Sequence, residues 1–188
     1  MTIKKNTQLI YTSQTSPLKI AEIQLSQGKV GLSLCPGKHG PRLDGGMWQR
    51  DLTHDLTAVK NWGASTVVSL IEPKEFSELK VENLSACAEA LGMKWFHLPI
   101  KDGDAPDERF ELLWPTVGAL LTEDLTLGNS VFVHCKGGLG RAGTVASLLL
   151  MAFGSSAADA MAAVRAARVG AIETKEQERW LGQQDGSQ

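Results

Sequence analysis

One short stretch of the chain has residue types and spacing that could bind and react with phosphate: "HCKGGLGRAGT", residues 134–144. Its glycines Gly138, Gly140 and Gly143 fit the spacing of a dinucleotide-binding turn, in which the backbone closely approaches a pyrophosphate. Cys135 and Arg141 instead bracket five residues, a spacing that could place a thiol and a guanidinium around one phosphate. The surrounding sequence has to decide between these interpretations.

The nucleotide-binding interpretation fits poorly. A dinucleotide turn belongs to the first strand and helix of its domain, and an acidic residue about twenty positions later binds the ribose. Here the turn comes late, and the nearest acid, Asp159, falls in an alanine-rich helical pattern. An ATP-binding loop needs a lysine before its final hydroxyl residue, but Gly143 is followed directly by Thr144. We therefore favour the cysteine interpretation.

The cysteine interpretation explains more of the stretch. A thiol that follows a strand and precedes a helix lies where backbone N–H groups favour an anion. Cysteines at such sites have pKa values of ~3.5 to 7.5, against about 8.5 when free. We predict that Cys135 is a nucleophile and that the planar fork of Arg141 clamps two phosphoryl oxygens. The predicted phosphate-binding residues are those of the loop: Lys136, Gly137, Gly138, Leu139, Gly140 and Arg141.

Strands that alternate with helices must position this loop. The segments "STVVSLI", "MKWFHLPI" and "SVFVHC" read as short buried strands, and helical patterns separate them. "SVFVHC" leads into the loop, and "TVASLLLMAFG" behind it has helical spacing. This order predicts an α/β domain with a mostly parallel central sheet flanked by helices. We place an extended lead-in at 1–27, the domain at 28–182 and a polar tail at 183–188.

Composition limits the partners and the compartment. The 188 residues can form one core, and 19 basic against 21 acidic residues give a net charge of −2, which favours neither nucleic acid nor an anionic membrane. The longest mainly apolar run is too short to span a bilayer. Three cysteines argue against a disulfide scaffold, so we predict a cytoplasmic protein. Three histidines are too scattered to suggest a metal, and we expect no cofactor: His39, His54 and His97.

The sequence at this point resembles the cysteine-dependent protein phosphatases, whose signature is met by His134, Cys135 and Arg141. The segments "LCPGK", "EPKEFSEL", "HLPIKDGDAPD" and "GAIETKEQ" resemble, in the same order, segments of the kinase-associated phosphatase family of dual-specificity enzymes. The resemblance covers about residues 30–182. It implies a dual-specificity phosphatase-like fold and a phosphorylated protein substrate, whose phosphoserine, phosphothreonine or phosphotyrosine is hydrolysed through a cysteinyl-phosphate.

The resemblance also implies a carboxylic acid upstream of the cysteine. Asp102, in "PIKDGD", matches the family's position, and it would protonate the leaving oxygen and later activate water. General acid catalysis of this kind contributes ~10²- to 10⁴-fold, and a segment containing glycine and proline could swing the acid over the phosphate. Asp104 and Asp107 are the local competitors for the role.

Two positions depart from the family pattern. Ala142 stands where most members have Ser or Thr, whose hydroxyl stabilises the departing thiolate, so the intermediate could break down ~10- to 100-fold more slowly. Thr144 either compensates in part or serves as a helix-start hydroxyl. Glu173 replaces a glutamine, and we expect its carboxylate to point away from a bound phosphate, leaving Gln177 as the polar contact.

These departures keep two alternatives open. One is a weakly active or inactive phosphoprotein-binding pseudophosphatase, and the other is a phosphatase for inositol or lipid phosphates.

Around the loop, we expect His134 to hold the backbone through hydrogen bonds to carbonyls rather than act as a base. Cys35 and Cys87 are small buried hydrophobes or resolving thiols for oxidised Cys135. Two further cations either attract phosphorylated ligands or only solvate the surface: Lys38 and Arg42.

Overall fold

The computed structural model of the chain describes residues 9–185. Residues 1–8 of the predicted lead-in and residues 186–188 of the predicted tail lie outside this range. The strands and helices follow one another in this order: β1 (Ile10–Tyr11), β2 (Ala21–Gln24), β3 (Lys29–Leu34), β4 (His39–Pro41), β5 (Met47–Gln49), α1 (Leu52–Trp62), β6 (Ala64–Ser69), α2 (Pro73–Glu78), α3 (Leu84–Ala90), β7 (Lys94–His97), α4 (Glu108–Thr126), β8 (Ser130–Cys135), α5 (Gly140–Ala152), α6 (Ala157–Ala167) and α7 (Lys175–Gln183).

A five-stranded sheet with the order β2-β3-β8-β6-β7 forms the centre of the fold. The last four strands of this order are parallel, and β2 pairs antiparallel with β3 at one edge. The central strand β8 is buried along its whole length, as is typical of a parallel strand that is covered on both faces. The predicted α/β fold with a mostly parallel sheet flanked by helices is confirmed.

Two apolar clusters cover the two faces of the sheet. The larger cluster contains Phe110 from α4, Leu149 from α5 and Val164 from α6, whereas the smaller one contains Leu56 from α1 and Leu84 from α3. Helix α5 is buried from Gly140 to Met151, which explains why its sequence is apolar on every side. The start of α5 is thereby fixed directly behind the end of β8.

The segment before β3 contains two short strands. Strand β2 forms a hairpin with β3, and β1 pairs with β5 in a second, three-stranded sheet of order β1-β5-β4. Strands β4 and β5 form a short hairpin ahead of α1, which the sequence analysis did not predict. None of the helices within residues 9–185 is long and apolar enough to cross a bilayer.

A buried ion pair connects this hairpin to the main domain. Arg50, directly after β5, donates to both carboxylate oxygens of Asp55 in α1 at 2.7 and 2.9 Å. Both side chains are 1% exposed, and the same carboxylate accepts the N–H of Gly37 at 2.8 Å. These hydrogen bonds satisfy both charges, as a buried pair requires. The hairpin is therefore held at a fixed place next to the end of β3.

Candidate active site

Cys135 ends strand β8, and the five residues that follow it curve into the start of α5. The backbone N–H of Gly138 donates to the Cys135 Sγ at 3.2 Å, and the cysteine is 3% exposed. Gly138 has a φ of +74°, and a Cβ built there would lie 2.2 Å from the carbonyl carbon of Ser33. Only glycine fits a position that combines this φ with such close contact. The loop is therefore shaped so that an amide faces the sulfur.

Arg141 lies almost completely buried, 1% exposed, on the first turn of α5. Its two terminal nitrogens donate to the two carboxylate oxygens of Glu75 in α2 at 2.6 and 3.1 Å. A third hydrogen bond reaches the Ile100 carbonyl at 3.0 Å and a fourth reaches Asp102 Oδ1 at 2.8 Å. Burial opposes the charge of Arg141, but the bonds to Glu75 outweigh it and raise the guanidinium pKa above its ordinary value. The guanidinium is thus fixed and permanently charged.

Asp102 is the carboxylate of its loop that contacts this arginine, and its side chain is 60% exposed. The two competitors have other partners. Asp104 pairs with Lys101 at 2.9 Å, and Asp107 caps α4 by accepting the N–H groups of Arg109 and Phe110. Asp102 is therefore the carboxylate that the loop presents next to Arg141.

His134 is fully buried behind the loop. Its Nε2 lies 2.7 Å from the hydroxyl of Ser69. The Trp95 indole N–H also donates to this hydroxyl, at 2.9 Å. An indole can only donate, so the Ser69 hydroxyl can direct its own proton to His134. Burial lowers the pKa of His134 to about 3, and the imidazole is neutral at physiological pH.

Ala142 and Thr144 are the two positions of α5 at which a hydroxyl could affect the Cys135 sulfur. Ala142 is fully buried, and its methyl group offers no hydrogen bond to the neighbouring sulfur. The Thr144 hydroxyl donates to the Gly140 carbonyl at 2.9 Å, one turn back along the helix. Of the two alternatives for Thr144, the structure favours a role within the helix over compensation for Ala142.

The expected orientation of Glu173 was wrong. Its Oε2 accepts the N–H of Gly140, an amide of the predicted phosphate-binding loop (residues 136–141, the phosphate loop), at 2.7 Å. Gly140 leaves room for this approach, because a Cβ there would lie 2.6 Å from the same oxygen. The N–H groups at a helix start attract anions in general, including a carboxylate of the same chain. Repulsion by a phosphate was the wrong basis for placing this side chain.

Gln177, the expected polar contact for a phosphate, hydrogen-bonds through its side-chain amide to two other segments. Its side-chain oxygen accepts the N–H of Glu173 at 3.0 Å, and its Nε2 donates to the carbonyl of Asp104 at 3.0 Å. With Thr174 it forms a capping box at the start of α7. Gln177 therefore joins α7 to the loop that carries Asp102.

Two contacts beside the loop were missed in the sequence. Glu75 lies within the quoted segment "EPKEFSEL", but nothing in its surroundings indicated Arg141 as its partner. Arg168, at the end of α6, donates to the carbonyls of Gly138 and Gly137 at 2.9 and 3.2 Å. A basic residue 27 positions after the loop arginine is too weak a signal for such a bond. Both contacts join residues that are far apart in the sequence, so only the folded structure reveals them.

The remaining cations and thiols lie around the same loop. Lys136 has an exposed side chain, and its carbonyl accepts a hydrogen bond from Lys38 at 2.9 Å. The three cysteines are free; Cys35 belongs to the smaller apolar cluster and Cys87 packs against it, whereas Cys135 belongs to the larger one. Burial raises the pKa of the Cys35 thiol. Residues 9–185 contain no group of three potential metal-ligating side chains.

The geometry joins three groups that phosphate chemistry requires: a sulfur facing an amide, a fixed guanidinium and a carboxylate in contact with it. A family model described as the dual-specificity phosphatase domain of Swiss Army Knife proteins matches residues 42–181. The chain belongs to this dual-specificity phosphatase family. This membership agrees with the sequence resemblance.

The chain is similar in sequence to the curated cyclin-dependent kinase inhibitor 3 proteins of mouse and human. The mouse protein is 31% identical over 172 residues, which cover 89% of this chain and 76% of the relative. The human protein is 27% identical over 179 residues, covering 89% of this chain and 79% of the relative. The likeness to the kinase-associated phosphatases that the sequence indicated is confirmed.

Solved structures show the same fold. Kinase-associated phosphatase with its catalytic-site cysteine replaced by serine superposes with a TM-score of 0.78 and 28% identity, covering 90% of this chain and 96% of that one. The phosphatase Tk-PTP in its active form gives a TM-score of 0.65 and 29% identity, covering 87% and 97%. The dual-specificity phosphatase architecture of this family member is thereby established.

Proposed function

We propose that this chain hydrolyses phosphate monoesters of phosphoserine, phosphothreonine and phosphotyrosine on proteins, through a cysteinyl-phosphate. The observation that carries the proposal is the arrangement of Cys135 and Arg141. The sulfur accepts an N–H from its own loop, and the loop ends on a guanidinium that four hydrogen bonds hold in place. Oriented donors of this kind stabilise charge that develops in a transition state, because they need no rearrangement.

In the first step, the Cys135 thiolate attacks phosphorus and the bond to the leaving oxygen breaks. Asp102 donates its proton to that oxygen, so the product leaves as an alcohol or phenol. Loop amides and Arg141 bind the remaining phosphoryl oxygens. Asp102 starts this step beside Arg141 and has to move only within its exposed loop.

In the second step, water attacks the phosphorus of the cysteinyl-phosphate and the sulfur departs as a thiolate. The Asp102 carboxylate accepts a proton from this water, and inorganic phosphate is released. No metal is needed for either step in this proposal. The leaving thiolate depends on the Gly138 amide, since the side chain of Ala142 has no hydroxyl.

The substrate class and the compartment follow from supporting observations. The curated relatives carry a name that links them to cyclin-dependent kinases, which supports a phosphorylated protein as the partner of this chain. All three cysteines are free, which supports a reducing, cytoplasmic compartment. Neither observation depends on the identity of the particular substrate.

Hydrolysis of p-nitrophenyl phosphate by the purified protein tests the proposal. We expect turnover that vanadate blocks and chelators leave unchanged. Cys135→Ser should abolish it, whereas Cys87→Ser, the same change at a cysteine outside the loop, should retain it. Hydrolysis that persists in Cys135→Ser would refute the mechanism.

A second candidate is a phosphoprotein-binding protein with little or no turnover. The contact between Glu173 and the Gly140 amide favours it, because a carboxylate there uses a donor that a phosphate also needs. Rapid mixing with an aryl phosphate separates the candidates. A burst of phenol followed by a negligible steady state supports the second candidate, and continued release supports the first.

A further inference from the structure

Three polar side chains lie side by side across the central sheet, behind the end of β8. Ser69 ends β6 and is the register partner of His134 in β8. Trp95 in β7, the other neighbour of β6, lies diagonally across from Ser69 on the same face. Ser69 and His134 are fully buried. Parallel strands covered on both faces are normally apolar, so a row of polar groups here needs an explanation.

The Ser69 hydroxyl connects the other two side chains. It accepts the Trp95 indole N–H at 2.9 Å, and its oxygen lies 2.7 Å from the His134 Nε2. Within residues 9–185 this hydroxyl has no third hydrogen-bond partner. Neighbouring hydrogen bonds polarise one another, so an oxygen that accepts one N–H becomes a better donor and a poorer acceptor. The Ser69 proton is therefore directed to the His134 Nε2.

This connection selects one of the two neutral forms of His134. With the proton on Nδ1, the Nε2 lone pair accepts the Ser69 O–H, and only the Nδ1–H lacks a partner in the described part of the chain. With the proton on Nε2, both the Ser69 O–H and the Nδ1 lone pair would lack one. Unpaired buried polar groups are costly, so the form with the proton on Nδ1 is the more stable.

The Nδ1 side of the ring lies toward the nucleophile. The Cys135 backbone favours a proton on His134, as a carbonyl near a ring N–H does, although burial has the larger effect and lowers the His134 pKa. Because Nε2 faces Ser69, the nitrogen next to Cys135 is Nδ1. A buried N–H beside a thiol presents the positive end of its dipole, which favours the thiolate.

No charged side chain among residues 9–185 hydrogen-bonds to the His134 ring. Charged and titratable groups act on His134 or on the Cys135 sulfur over longer distances, from several elements: Cys35, Lys38, Glu75, His97, Arg141 and Arg168. These groups set the background charge at the sulfur. The group that contacts the ring, and can therefore choose between its two nitrogens, is the Ser69 hydroxyl.

We propose that Ser69 and Trp95 are positioning residues that keep the proton of His134 on Nδ1, so that this N–H faces Cys135. The proposal rests on the proposed function, in which Cys135 is the nucleophile. It adds two residues that would touch neither the substrate nor the sulfur. Trp95 acts on Ser69, Ser69 acts on His134, and His134 acts on Cys135.

Long-range proton–nitrogen NMR spectra test the proposal without turnover, because they show which ring nitrogen carries the proton. The His134 signals are identified by replacing the other histidines one at a time: His39, His54 and His97. We expect the proton on Nδ1 in the wild type. Ser69→Ala should give a mixture of both forms, because neither nitrogen then has a hydroxyl partner. Trp95→Phe keeps an aromatic ring but removes the N–H, and should give a smaller admixture.

The effect on Cys135 is measured by alkylation with iodoacetamide, followed by mass spectrometry of its peptide. At about pH 5.5 we expect Ser69→Ala to react about threefold more slowly, because less of the sulfur is thiolate. The kcat/KM for an aryl phosphate should fall by a similar factor. Two controls should change neither value: Ser65→Ala removes a hydroxyl at the other end of β6, and Trp62→Phe removes the indole N–H that donates to Glu22.

The order of the two residues gives a further test. Trp95→Phe should change the tautomer no further in the Ser69→Ala background, because the two residues act in series. A proton on Nε2 in the wild type overturns the proposal, and so does an unchanged Nδ1 form in Ser69→Ala. If that variant does not fold, Trp95→Phe decides in the same way.

Two other outcomes separate the steps of the argument. A mixture of tautomers with unchanged alkylation overturns the proposal, because His134 would then not act on Cys135. The expected tautomers and alkylation rates, in a wild-type protein that hydrolyses no phosphate ester, overturn the proposed function and leave the positioning of Cys135 intact.

Discussion

Two glutamates from different parts of the chain contact the phosphate loop, and their surroundings differ. Glu75, in α2, is 3% exposed, and both of its carboxylate oxygens accept hydrogen bonds from the Arg141 guanidinium. Glu173, between α6 and α7, is exposed, and one of its oxygens accepts the N–H of Gly140. The Glu75 carboxylate forms an ion pair with a guanidinium, whereas the Glu173 carboxylate accepts a backbone N–H.

From this difference we infer that, in the proposed mechanism, the position of a carboxylate determines its effect on phosphate binding. Glu75 holds the cation from behind, so it orients a group that would bind phosphate. Glu173 uses a donor that phosphate would itself need, so it competes with the ligand. Neutralising the two glutamates should therefore change activity in opposite directions.

The largest expected effect is the loss on neutralising Glu75. Glu75→Gln keeps the shape but leaves the buried Arg141 with only the exposed Asp102 as a counter-charge, which costs about 3 kcal/mol of unfolding free energy. We expect kcat/KM for an aryl phosphate to fall about 100-fold, because a displaced Arg141 guanidinium no longer binds the phosphoryl oxygens of the transition state. Steady-state assays and urea unfolding measure the two losses.

A matched variant tests whether this loss is specific. Glu78→Gln makes the same change at the last residue of α2, on an exposed side chain, and should alter neither quantity by much. Wild-type activity in Glu75→Gln would show that the ion pair with Arg141 does not position the clamp.

The next effect concerns turnover rather than binding. Ala142→Ser introduces a hydroxyl next to Cys135, and a hydrogen bond to the leaving thiolate should accelerate breakdown of the intermediate about tenfold. Rapid mixing gives this rate as the steady state after the burst. An unchanged rate would mean that the missing hydroxyl does not limit breakdown of the intermediate.

Local sequence information was sufficient for part of this site. The spacing of Cys135 and Arg141, together with the apolar strand before them and the apolar helix after them, predicted the loop and its place in an α/β sheet. These features arise within about twenty consecutive residues, where strand and helix patterns are read directly. Asp102 needed the family resemblance, because an acidic loop contains several equivalent carboxylates.

Contacts between distant parts of the chain could not be predicted in this way. Glu75 is 66 residues from Arg141, and Glu173 is 33 residues from Gly140. The β4–β5 hairpin consists of two three-residue strands, and its partner β1 is far away in sequence. Strands this short have no alternating pattern to detect. The prediction for the Glu173 side chain was wrong for a further reason, because we considered its repulsion from phosphate and not its attraction to backbone amides.

A smaller effect is expected from Glu173. Glu173→Gln removes the competing negative charge and should lower KM for an aryl phosphate about threefold, with little change in kcat. Inhibition by inorganic phosphate should become stronger by a similar factor. Glu176→Gln, an equivalent change on the first turn of α7, is the control and should change neither value. A higher KM in Glu173→Gln would reverse the comparison with Glu75.

The smallest expected effect is on acid stability, and it tests the Glu75 side of the comparison alone. Burial by itself would raise the pKa of Glu75, but hydrogen bonds from Arg141 and from the Glu72 backbone outweigh it, so the pKa lies below its ordinary value of 4.5. A carboxylate with a lowered pKa stabilises the fold above its unfolded pKa, and this contribution is lost as pH falls through the folded value.

The difference in unfolding free energy between the wild type and Glu75→Gln should therefore be larger near neutral pH than in acid. We expect it to shrink by about 1.4 kcal/mol for each pKa unit by which folding lowers the Glu75 pKa. Urea unfolding at a series of pH values from about 6 to about 3 measures it. A difference that stays constant over this range would mean that Glu75 does not hold Arg141 as a charged pair, and the contrast with Glu173 would then be one of burial only.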